Sequence, residues 1–120
     1  MTIRAIRGAT TLMVDEREHL HERTIELVSA MLRENGLTTE ELISIFFTCT
    51  PDITADFPAA AVRSLGMGDV PLMCAVEMSV PGALGLVIRV MAHAAIDRDR
   101  ADIKHVYLHE AVSLRRDLAQ

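Results

Sequence analysis

Hydrophobic and polar positions change their period several times along the chain, and each change predicts a new element. The stretch "IRAIRGATT", Ile3 to Thr11, is short and apolar enough to be a strand. Side chains of an extended segment alternate between faces, so Ile3, Ala5 and Arg7 share one side and Arg4, Ile6 and Gly8 the other. At least one arginine therefore stands beside apolar neighbours, where a guanidinium requires an internal acid or a bound anion. Asp15 and Glu18 then have capping-box spacing, which predicts a helix starting there. Leu20, Thr24, Leu27, Val28, Met31 and Leu32 recur at helical spacing, and Asn35-Gly36 supplies the stop. His19, His21, Glu22 and Glu26 fall mostly off this stripe and read as a solvated face rather than a metal site.

"TTEEL" predicts a turn of helix, and the continuous apolar run from Ile43 to Cys49 predicts a buried central strand. Pro58 is placed as the first residue of a short helix ending near Gly66. A further strand is predicted from Val70 to Glu77. "LVIRVMAHA" suits helix or strand by periodicity, but Val87, Ile88 and Val90 favour a strand with Val87, Arg89, Met91 and His93 on one side. "DRDRADI" reads as a charged loop, "HVYLHEA" as a final strand and "VSLRRDLAQ" as a tail. The order implies an α+β fold: a mixed β-sheet with one long helix on one face. Little in the chain is left to cover the other face, so self-association is expected, with clefts between subunits.

Composition narrows the function. A chain of 120 residues, half of them apolar, fits one domain spanning residues 1–120. Few aromatics, no tryptophan and a net charge of −5 argue against nucleic-acid binding. No run of about 18 apolar residues is free of charge, since Arg89 interrupts the most hydrophobic tract, and no basic-then-apolar leader opens the chain; a cytoplasmic protein with no membrane partner is expected. Cys49 and Cys74 form no CxxC pair and read as buried free thiols. Eleven arginines stand against a single lysine, Lys104; biased nucleotide composition explains this as readily as recognition of carboxylate or phosphate by a planar fork.

The chemistry-bearing positions are Arg7 and Arg89, each among Ile, Val and Ala. An internal ion pair with Glu77 or Glu110 is one explanation. A site with Arg7, Arg89 and Glu77 nonetheless keeps net positive charge and prefers an anion. No GxSxG, HExxH, P-loop or GxGxxG is present and Cys74 has no partner histidine identifiable from sequence, so if the chain is an enzyme, one that works without covalent catalysis or a cofactor is expected.

Four stretches, "IRAIRGATT", "TPDITADFPAAAVR", "VPLMCAVEMSVPGALGLVIRV" and "HVYLHEAVSLRRDL", together resemble the monofunctional, trimeric chorismate mutases of the α/β-barrel type, distinct from the all-helical ones. The resemblance runs in order from the first residues to about Leu118. It implies a homotrimer whose sheets pack into a pseudo-barrel with helices outside, active sites at subunit seams, and conversion of chorismate to prephenate in phenylalanine and tyrosine biosynthesis.

By that resemblance the catalytic set falls on Arg89, Glu77 and Arg7, and the substrate-contacting run on Met73, Cys74, Ala75, Val76 and Glu77. Tyr107, Leu114 and Arg115 complete it, with Phe57, Ala59 and Arg63 contributed across the seam. The chain departs from the family pattern at Ala60, where a lysine is replaced, and at Met73, where a threonine is replaced. A trimeric metabolite-binding domain and an imine or enamine deaminase remain rival readings of such a fold; Glu77, Arg89 and Tyr107 together favour the mutase.

Overall fold

The computed structural model describes residues 2–114. Within them a five-stranded mixed sheet runs in the order β3-β2-β4-β1-β5. The strands are β1 (Ile3–Thr11), β2 (Leu42–Cys49), β3 (Leu72–Val76), β4 (Val87–Ala95) and β5 (Val106–Tyr107). β4 lies at the centre, antiparallel to β1 and to β2, while β3 joins β2 and β5 joins β1 in parallel. The ambiguous tract is thus a strand, and β1 has the predicted bounds.

Helix α1 (Arg17–Glu34) crosses one face of the sheet and buries Leu20, Thr24, Leu27, Val28 and Met31, as the stripe predicts. They meet Ile6 of β1, Ile45 and Phe47 of β2, and Ile88, Val90 and Ala92 of β4 in the core. Gly8 lets the helix lie close: a Cβ there would run into Met31 Sδ and reach Leu27 Cδ1 at 3.2 Å. Beyond Asn35 the chain turns at Gly36, whose φ of 59° is a left-handed stop. The buried Asn35 side chain then ties the helix end to the distant 104 position. Its Nδ2 donates to Met31 O and Lys104 O, and its Oδ1 accepts from Lys104 N.

Three predicted features differ. The helix is not capped by Asp15: it starts two residues later behind Glu16, which makes no side-chain cap bond. Asp15 is taken instead by the loop before the short helix α2 (Pro58–Arg63), accepting from Thr54 N, Thr54 Oγ1 and Ala55 N. Strand β2 is not buried on both sides, because Ile43 and Phe46 point into the open. The last strand is only Val106–Tyr107, ended by His109 at φ 55° and followed by a 3-10 turn over His109–Leu114.

The second face of the sheet carries Ile3, Ala5, Arg7 and Ala9 of β1, paired in register with Ala95, His93, Met91 and Arg89 of β4. Phe46 and Thr48 of β2 pair with Met91 and Arg89 on the same face. No helix of the described residues lies across it, and Ile3, Phe46 and Met73 stand exposed on this side. No helix of the described residues is long and apolar enough to cross a membrane. Because Gly8 sits under α1 without spare space, Gly8→Ala is expected to destabilise the fold by about 1–3 kcal/mol. A thermal midpoint equal to the parent's would contradict that packing.

Candidate active site

The uncovered face holds a cleft of about 290 Å³ lined by Arg7, Gly8, Ala9, Phe46, Thr48, Glu77, Arg89, Val90, Met91 and Tyr107. Four residues that sequence reasoning selected, Arg7, Glu77, Arg89 and Tyr107, therefore converge from four separate segments. Register explains the convergence. Ala9 pairs with both Arg89 and Tyr107, and Thr48 pairs with both Arg89 and Ala75, so the central rows of the sheet bring these positions side by side. Glu77 follows β3 and extends its pairing through its own N–H to Cys49 O at 2.7 Å. Arg7 is steadied by its backbone N–H, which donates to His105 Nδ1 at 2.9 Å. The other first-strand arginine, Arg4, points to the opposite side and donates to Arg98 O.

Glu77 is the internal acid. Its Oε1 lies 3.6 Å from Arg89 Nε, and its Oε2 accepts from Thr48 Oγ1 at 2.5 Å. One carboxylate thus faces two guanidiniums, leaving the cleft with excess positive charge. Phe46 and Thr48 were missed by the sequence reading, although the alternation Ser44, Phe46, Thr48 within "ISIFFTC" carried the signal.

A second cleft, of about 430 Å³, is lined by Cys49, Thr50, Pro51, Ile53, Thr54, Ala55, Asp56, Phe57, Pro58, Cys74, Ala75 and Val76. Phe57, Cys74, Ala75 and Val76 therefore lie in a different cleft of the chain from Arg7, Arg89 and Tyr107. Phe57 projects outward, with 68% of its surface exposed. Met73 is also exposed, and Arg63 is exposed at the end of α2, whereas Ala59 is packed into the protomer's own core. Leu114 is half-buried at the end of the last 3-10 turn. Arg115 lies outside the described residues.

The loop that presents Phe57 is held by carboxylates at both ends. Asp52 accepts from Leu86 N at the start of β4, and Asp56 accepts from His21 Nε2 at 2.7 Å and from Phe57 N, with Arg17 at 3.2 Å. His21 is thus not simply solvated, as its place off the helical stripe had suggested. Thr54's hydroxyl and the N–H groups of Thr54 and Ala55 lower the Asp15 carboxyl below its ordinary value, and the His21 and Phe57 bonds do the same for Asp56. Cys49 and Cys74 are free thiols, but both are half-buried at the second cleft rather than sealed in the core as expected. Burial above all, with the neighbouring Cys74 and the carboxylates of Asp15 and Glu77, pushes Cys49 up to about 12. It is no thiolate at neutral pH and no nucleophile.

An open α+β sheet whose exposed face gathers two arginines, a glutamate and a tyrosine in a cationic cleft is suited to a small anionic substrate and to chemistry without a nucleophile. A family model described as chorismate mutase type I matches residues 3–118, and the chain belongs to that family. It is 49% identical to chorismate mutase AroH of Thermus thermophilus over 97% of this chain and 96% of that one. Identity to chorismate mutase AroH of Bacillus subtilis is 42%, over 99% of this chain and 94% of that one. A solved chorismate mutase from Clostridium thermocellum superposes with a TM-score of 0.90 at 45% identity, covering 92% of this chain and 98% of that chain.

The loop contacts generate an acid-stability prediction. A carboxyl held below its unfolded value contributes stability that is fully present above the unfolded value and is lost as pH falls through the folded one. The latch of Asp15 and Asp56 therefore weakens from about pH 4 downward. Asp15→Asn is expected to flatten the fall of the thermal midpoint between about pH 5 and 2. A variant with the parent's pH dependence would remove Asp15 from that role.

Proposed function

We propose that this chorismate mutase works as a cytoplasmic homotrimer, converting chorismate to prephenate at seams where the arginine cleft of one protomer is closed by the Phe57 surface of its neighbour. The observation that carries this reading is the division of the site residues between two separate clefts of one chain. Arg7, Glu77, Arg89 and Tyr107 line one, while Phe57 lies in the other beside Cys74, Ala75 and Val76, the run that leads directly into Glu77. A neighbour laid against the uncovered face would join the two halves and bury Ile3, Phe46 and Met73.

The rearrangement breaks a C–O bond while a C–C bond forms and needs no proton transfer. An enzyme can hold the compact conformer and stabilise the charge growing on the ether oxygen. Arg89 is assigned to that oxygen, because its strand fixes where the guanidinium stands. Arg7 takes a carboxylate, Glu77 with the Cys74 region holds the ring hydroxyl, and Tyr107 helps place the side-chain carboxylate. Phe57 and Leu114 are apolar walls; Arg63 and Arg115 attract and cover the dianion, and Ala59 and Met73 act through their backbone. No cofactor or metal enters this scheme.

A million-fold acceleration requires about 8 kcal/mol. One oxyanion donor supplies about 3 to 4 kcal/mol, and orientation of the reacting carbons can supply the rest.

Chorismate consumption, followed by its ultraviolet absorbance with acid conversion of prephenate to phenylpyruvate, tests the reaction. Light scattering should give three times the chain mass of 13.2 kDa. Arg89→Lys keeps the charge but not the fork, and kcat is expected to fall about a hundredfold or more. Near-parental turnover would remove the role given to Arg89. Arg7→Ala should raise KM by about tenfold or more with a smaller effect on kcat, and a loss confined to kcat would contradict ground-state carboxylate binding.

A further inference from the structure

The short contact between Thr48 and Glu77 lies at the centre of the cationic cleft and has no role in the scheme above. Thr48 is on β2, opposite Arg89 of β4 and beside Ala75 of β3. Its hydroxyl is the donor to Glu77 Oε2 at 2.5 Å. The other oxygen, Oε1, lies 3.6 Å from Arg89 Nε, beyond hydrogen-bond reach. The carboxylate is thus bonded to a neutral hydroxyl while a guanidinium stands close by, although an arginine fork would ordinarily engage it through two parallel bonds.

Two features of the sheet hold this arrangement. A threonine in a strand has few rotamers because its Cβ is branched, so the backbone of β2 aims the hydroxyl. The Glu77 backbone is anchored to the same strand through its bond to Cys49 O. The backbones that carry donor and acceptor are therefore tied together, while the Arg89 side chain, rooted in the neighbouring β4, keeps 44% of its surface exposed.

Building on the assignment of Arg89 to substrate, we infer that Thr48 is a positioning residue. It occupies one oxygen of Glu77 and so keeps the carboxylate from closing onto Arg89. The Arg89 fork stays open toward the cleft, and the second oxygen of Glu77 stays turned toward bound substrate. Without the hydroxyl, Glu77 folds onto Arg89 as a two-bond pair, the local charge is cancelled, and the donor needed at the developing oxyanion is held by an internal acid.

The test compares Thr48→Val, which keeps shape and strand preference, with Thr48→Ser, which keeps the hydroxyl, in the full-length assembled protein. Thr48→Val is expected to lose about tenfold to a hundredfold in kcat, the range for one hydrogen bond to a charged group, with KM changed by less than about threefold. Thr48→Ser should recover to within about threefold of the parent. In a Glu77→Gln background, where the competing charge is gone, Thr48→Val should cause no further loss. Equal losses in Val and Ser variants, or the same loss with and without the Glu77 charge, would overturn the inference, as would parental kcat in Thr48→Val.

Calorimetry with an oxabicyclic dicarboxylate mimic gives a reading independent of turnover. Thr48→Val should bind it about tenfold more weakly than the parent, with an unchanged thermal midpoint. Equal affinity would overturn the role of Thr48. A parent that binds the mimic but does not consume chorismate would overturn the proposed reaction, leaving Thr48 to be judged by affinity alone.

Discussion

The chain has one long helix and a sheet with two faces, and that inequality governs everything else in the structure. Helix α1, 18 residues long, closes one side against the apolar rows of β1, β2 and β4. The other side receives no equivalent cover from the described residues. A face that its own chain does not bury can hold charges in the middle of a sheet without the desolvation cost of a sealed core. Arg7 and Arg89 stand in strands of largely apolar sequence for this reason. Their neighbours on the helix side, Gly8 and Ile88, are buried instead.

Charge in the cleft is unbalanced by design of the register rather than by the sum over the chain. The protein carries a net charge of −5, yet its central rows place two guanidiniums around one carboxylate. Four acidic groups elsewhere are tied up in local contacts. Asp15, Asp52 and Asp56 accept backbone and side-chain bonds that shape the loop before α2, and Glu26 meets His109 at 2.8 Å. Acids that serve as local scaffolding do not neutralise the site, and a globally anionic protein can still present a cationic pocket to an anion.

Much of this was legible in the sequence because periodicity reports burial. The stripe from Leu20 to Met31 and the β-branched Val87, Ile88 and Val90 specified α1 and β4, and motif resemblance brought Arg7, Glu77, Arg89 and Tyr107 to notice. What escaped were long-range uses of short polar side chains. Asp15 has the spacing of a cap, but Thr54 and Ala55 offer it three donors that local sequence does not reveal. Phe46 and Thr48 were hidden inside an apolar run read as buried on both sides, where only the uncovered face distinguishes them from Ile45 and Phe47. The final strand was overextended because alternation in "HVYLHEA" gives no sign that His109 adopts a left-handed backbone.

The tie made by Asn35 has a meaning beyond geometry. An Asn-Gly dipeptide is chemically the most perishable in an unfolded chain, because the glycine nitrogen readily attacks the asparagine side-chain carbonyl. Here the Gly36 nitrogen donates to Arg33 O, and both ends of the Asn35 carboxamide are held by Met31 and Lys104. Ring closure needs those bonds to open. The dipeptide is therefore shielded from that attack for as long as the helix end stays attached to the 104 position.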